Sequence, residues 1–88
     1  MPTIRGIDDY GYCVLEILRD RRGRVTREDL YREFDRRYRS SVASEDLRGA
    51  HRDGGGPPRW QRNIDLAATR LVANRKAYAP DPDAFEIV

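Results

Sequence analysis

Three observations predict a mainly α-helical fold closed by a small β-hairpin. Apolar residues recur at helical spacing in separate stretches, Gly and Pro clusters punctuate the chain between them, and residues 76–88 alternate around a Pro/Asp turn. At 88 residues the chain is long enough for one small core and too short for a two-lobed enzyme, so a single domain spanning 1–88 and acting as a binding module is expected before a catalyst.

The first helix is read from about Ile7 to Asp20. Tyr10, Val14, Ile17 and Leu18 mark one face, and Asp8 and Asp9 stand at the start with Arg19, Arg21 and Arg22 at the end, a charge order that complements the helix dipole. Gly23 is the expected stop. Val25 then opens a second unit in which Thr26 is the N-cap, with Asp29 near the capping-box position, and the helix from about Arg27 to Tyr38 buries Leu30, Tyr31, Phe34 and Tyr38. Ser44-Glu45-Asp46-Leu47 reads as a short third helical turn. Residues 51–57 form a flexible Gly/Pro loop whose triple glycine lacks the Lys-Ser/Thr of a phosphate-binding loop.

The fourth helical stretch, opening at Pro58-Arg59-Trp60, carries an apolar seam of Trp60, Ile64, Ala67 and Leu71. Turned away from it are Arg62, Asp65, Leu66 and Thr69, flanked by Arg59, Asn63 and Arg70. Asn74 is the expected left-handed closing residue. After it, two extended pieces place Tyr78 on one side and Phe85 and Ile87 on the other of a Pro/Asp turn, a hairpin over about 76–88, with a piece around Val25 available as a third strand. Helix, helix, short helix, long helix, hairpin is the element order of a winged helix-turn-helix.

That order makes the Trp60 helix a candidate for a DNA major groove. Arg59 and Arg62 would reach guanine edges or phosphates, and Gln61 or Asn63 would address adenine. Thr69 and Arg70 would meet the backbone, joined by Arg75 and Lys76 from the start of the wing. Asp65 stands against this, since a carboxylate midway along the outward face repels phosphate unless it orients Arg62 or accepts from a cytosine amino group. The alternative is a protein-interaction or dimerisation module on the same fold, the dimer contact being the first helix and an exposed Tyr12.

Composition narrows the remaining classes. Formal net charge is only +2, yet the cations are 16 Arg and the single Lys76. The excess is compatible with a GC-rich coding sequence and with the Arg fork's fit to phosphate and guanine. The lone Cys13 falls in an apolar helical pattern and is read as packed, and no His/Cys spacing suggests zinc or another cofactor. No stretch resembles a signal peptide or a membrane span, so a cytoplasmic protein without a membrane partner is expected. Trp60 is read as core, His51 as surface, and alternating charges such as Arg32-Asp35-Arg36 and Glu33-Arg37 as exposed ion pairs rather than a catalytic pair. The stretch Arg19–Arg27 is diluted by Asp20, and a solvated turn is preferred there over a second phosphate contact.

Pro58-Arg59-Trp60 followed by Ile64, Ala67 and Leu71, the closing Phe85-Glu86-Ile87-Val88, and the looser helical pattern of residues 10–38 together resemble the winged-helix N-terminal domain of Mrr-type modification-dependent restriction endonucleases. The resemblance spans nearly the whole chain. It departs where such domains carry Gly after the long helix and before the final strand, positions held here by Asn74-Arg75 and Asp83-Ala84. The nuclease of that family is a separate domain not contained in these 88 residues. The resemblance therefore implies DNA targeting without cleavage, in a restriction or defence system or in transcription control.

Overall fold

The computed structural model describes residues 3–88. It is mainly helical, with a small three-stranded antiparallel sheet. Helices α1 (Ile7–Arg21), α2 (Arg27–Tyr38) and α3 (Arg59–Ala73) are joined to strands β1 (Val25–Thr26), β2 (Ala77–Asp81) and β3 (Ala84–Ile87) in the order α1-β1-α2-α3-β2-β3. Two short 3-10 turns, Arg39–Ser41 and Ser44–Leu47, lie between α2 and α3.

Local chemistry accounts for the helix ends. The Thr26 side-chain oxygen accepts from the Asp29 backbone N–H at 3.1 Å, the cap expected for α2. At the end of α1 the left-handed residue is Arg22, φ 46°, one position before Gly23. Asn74 does not close α3 in the left-handed conformation, since its φ is −89° and Arg75 takes the positive value of 61°. Arg75 thus occupies a backbone state that Gly enters without steric cost. The Lys76 N–H then bonds the Leu71 carbonyl at 2.9 Å and turns the chain into β2.

The sheet order is β1-β3-β2, so the short piece at Val25 is the third strand. Val25 faces Phe85, and Ala77 faces Ile87. The β2–β3 register slips between Tyr78 and Asp81, the stretch containing Pro80. Proline has no N–H for a ladder, and β2 is an edge strand where that loss is tolerated.

The core lies between α1, α2, α3 and the inner face of the sheet. Tyr10, Val14, Ile17, Leu18, Val25, Leu30, Phe34 and Ile64 are fully buried. Trp60 stacks on Phe34 at 5.4 Å between ring centroids and meets Tyr31 edge-on at 6.2 Å, as expected of a core residue. Tyr31 and Tyr38, expected inside, are half-buried. Cys13 is buried, and burial followed by the nearby Asp9 and Glu16 charges pushes its thiol up to about 11. Among the described residues no helix is long and apolar enough to cross a membrane.

Candidate nucleic-acid interface

The inner stripe of α3 buries Trp60, Ile64, Ala67, Ala68 and Leu71, adding Ala68 to the expected seam. A helix tethered along that stripe must present the opposite side, and Arg59, Arg62, Leu66, Thr69 and Arg70 are exposed there and on its edges. The eight residues singled out in the sequence do not form one patch. Arg59 and Arg62 project at the first turn. Gln61 and Asn63 are half-buried, and Asn63 stands beside the Tyr10 hydroxyl. Thr69 donates its hydroxyl to the Asp65 carbonyl at 2.9 Å, one turn back along the same helix. Arg70 leans toward α1 and pairs with Asp8 at 3.3 Å. Arg75 and Lys76 are exposed beyond the far end of α3, about 20 Å from Arg59 at 1.5 Å per residue.

Asp65 does not orient Arg62. Its Oδ1 accepts from Arg27 Nη1 at 2.5 Å and from the Tyr31 hydroxyl at 2.6 Å. Arg27 opens α2, 38 positions away, so spacing along α3 carries no sign of this contact. The same guanidinium donates from Nη2 to the Pro82 carbonyl at 2.9 Å, lies 5.3 Å from the Phe85 ring centre, and stands 3.8 Å from Asp83. One half-buried arginine therefore joins α2, α3 and the β2–β3 turn. Burial first, and the Asp65 carboxylate second, push the Tyr31 hydroxyl up to about 12.

The β2–β3 turn is short and acidic, and one of its two carboxylates has a cation of its own. Asp81 pairs with Arg24 at 3.4 Å, and Asp83 lies against Arg27. Within the stretch Arg19–Arg27, Arg19, Arg21, Arg24 and Arg27 have carboxylate partners and Arg22 has none.

The segment before α3 has an order of its own. The Arg59 N–H donates to the Arg48 carbonyl, Ala50 to Pro57 and His51 to Gly55, at 2.8 to 3.0 Å, an antiparallel ladder bringing residues 48–51 against 55–59. The loop expected over 51–57 is the exposed tip of this hairpin-like closure. Gly49 makes the closure possible, because a Cβ there would sit 2.2 Å from the carbonyl oxygens of Gly54 and Gly55. Tyr10 anchors the approach by donating its hydroxyl at 2.8 Å to Asp46, a buried carboxylate in the second 3-10 turn. Desolvation and Asp46 hold that hydroxyl well above the ordinary tyrosine range.

Ion pairing sorts the basic residues. Among the described residues, Arg22, Arg48, Arg52, Arg59, Arg62, Arg75 and Lys76 have no carboxylate partner, while every other cation has one. Four of these seven, Arg48, Arg52, Arg59 and Arg62, belong to the hairpin-like loop and the first turn of α3. Arg48 and Arg52 were not singled out in the sequence. Their signal was present only as two cations flanking the turn that leads into Trp60, and the pairing of residue 48 with residue 59 is what gives it meaning. No protein-family model, no curated protein and no solved structure matches this chain.

Proposed function

We propose that this chain is a winged-helix module that binds double-stranded DNA through the first turn of α3 and the hairpin-like loop before it. The element order and the β1-β3-β2 sheet are compatible with that fold. The observation that carries the reading is the segregation of cations: every arginine of α2 has a carboxylate partner, within the helix or on α1, α3 and the β2–β3 turn, whereas Arg48, Arg52, Arg59 and Arg62 are left with formal charges that a phosphate backbone would neutralise. The pairing of Asp65 with Arg27 and of Asp81 with Arg24 also favours DNA, since it leaves Asp83, which shares Arg27 at 3.8 Å, as the one carboxylate of the three without a cation of its own. Leu66, 49% exposed on the outward face, fits the methyl group of a thymine. On this reading the inserted loop takes the backbone-gripping part usually expected of a wing, because the β2–β3 turn is short and acidic. The resemblance to Mrr-type targeting domains belongs to the same proposal, with a modified base as the candidate determinant of specificity.

A second reading draws on one observation. Leu47 and Leu66 are both exposed large apolar residues, one just before the loop and one on α3, and apolar residues beside arginine are also what a protein partner would use. Anisotropy titration of a labelled mixed-sequence duplex, unmodified and cytosine-methylated, over a range of salt separates the two. DNA binding requires affinity that falls steeply with salt. Arg59→Ala with Arg62→Ala, and separately Arg48→Ala with Arg52→Ala, are each expected to lower the log–log salt slope by about 2, roughly one unit per lost phosphate contact. Arg32→Ala with Arg36→Ala, on α2, leaves it unchanged. Absence of binding at low salt rejects the DNA reading in favour of a protein partner.

A further inference from the structure

We propose that the outward stripe of α1 is a self-association surface, and that its partner is a second copy of this chain docked antiparallel. The inference is independent of DNA binding. The buried residues of α1 are Tyr10, Cys13, Val14, Ile17 and Leu18. On the opposite side lie Asp8, Tyr12, Leu15 and Arg19, whose spacing of four, three and four keeps them on one line along the helix; Asp8, Tyr12 and Arg19 are exposed, and Leu15 is half-buried with one edge packed on the core. Tyr12 is 61% exposed, the most exposed large apolar side chain in α1, α2 and α3. The stripe is apolar in the middle, negative at the N-terminal end and positive at the C-terminal end.

That order is complementary to itself when reversed. A two-fold axis between Tyr12 and Leu15 sets Tyr12 of each copy against Leu15 of the other, and Asp8 against Arg19 at both ends. One register thus satisfies two apolar contacts and two ion pairs, which is the requirement of an isologous interface. Beside the stripe, α1 and α3 leave a groove of about 300 Å³ bordered by Gly11, Leu15, Ala67 and Leu71. Gly11 has open space where a Cβ would stand, so the groove can seat the incoming aromatic ring. The present partners of the charged ends, Arg70 on Asp8 at 3.3 Å and Glu16 on Arg19 at 3.4 Å, are solvent-exposed pairs of small worth that can be exchanged. Arg59 and Arg62 lie off this stripe and stay uncovered.

The test is the solution mass by sedimentation equilibrium, from micromolar to near-millimolar protein, without DNA. The wild type is expected to approach twice 10.2 kDa reversibly. Asp8→Arg and Arg19→Asp each set like charges against each other at both ends and should weaken association by about tenfold or more. The double variant Asp8→Arg with Arg19→Asp reverses both pairs and should return to within about threefold of wild type. Tyr12→Ser should be monomeric, with an unchanged circular dichroism spectrum confirming its fold. A wild type that remains at 10.2 kDa throughout, or a double variant no tighter than the single ones, overturns the proposal.

Discussion

Asp65 ties α3 to α2 through one carboxylate oxygen, which accepts from both the Arg27 guanidinium and the Tyr31 hydroxyl. Read along α3 it is an unmatched charge on the presented face, whereas in the fold it accepts from Arg27 and Tyr31. Its removal should therefore separate stability from binding. Asp65→Asn keeps the shape but weakens a charge-assisted bond, and is expected to cost about 1–2 kcal/mol of unfolding free energy in urea while leaving DNA affinity equal or higher. A loss of affinity that exceeds the loss of folded protein would mean that Asp65 touches the ligand. Tyr10 supplies a second case. Tyr10→Phe leaves the buried Asp46 carboxylate without its donor at 2.8 Å, and about 1–3 kcal/mol should be lost, read by the fluorescence of Trp60, the chain's single tryptophan.

Among the elements, the hairpin-like segment before α3 depends on one glycine. Gly49→Ala would drive a methyl group into two backbone carbonyls, and backbone cannot yield as a flexible side chain does. The expected result is a drop of about 1–3 kcal/mol together with protease sensitivity within residues 48–58. Gly11→Ala, which meets open space inside α1, should instead gain about 0.5–1 kcal/mol. Protection of 48–58 surviving the Gly49 change would show that the close approach does not hold the loop. The helix limits of α2 were legible because a cap is local chemistry: Thr26 and Asp29 are three residues apart. The closure of α3 was less legible, since Asn74 and Arg75 are adjacent and the left-handed position falls to whichever one the Lys76–Leu71 hydrogen bond requires.

For the whole molecule, burial of titratable groups predicts loss of stability at high pH. Cys13 is pushed from 9.0 up to about 11, and Tyr31 from 10.0 up to about 12, so the folded state holds protons that the unfolded chain releases first. Their contribution is fully present below the unfolded values and disappears as pH rises through the folded ones. The melting temperature should fall progressively between pH 9 and pH 12, and Tyr31→Phe should flatten the upper part of that fall. A melting temperature that is level across this range would contradict the burial of both groups.

The sequence by itself determined what repeats at short range: three helices with their buried stripes, the cap of α2, the hairpin about the Pro/Asp turn, and Trp60 and Cys13 as packed residues. Each rests on residues within a turn or two of one another, where periodicity and capping act. Only the tertiary structure decided which charges are free. Arg27 neutralises Asp65 from 38 positions away, Arg70 is drawn to Asp8 on another helix, and Arg48 is joined to Arg59 by a backbone bond across a loop. Arginine and carboxylate patterns look alike along a chain whether or not they are satisfied, because an ion pair is set by distance in space. The candidate site is what remains once those pairs are formed.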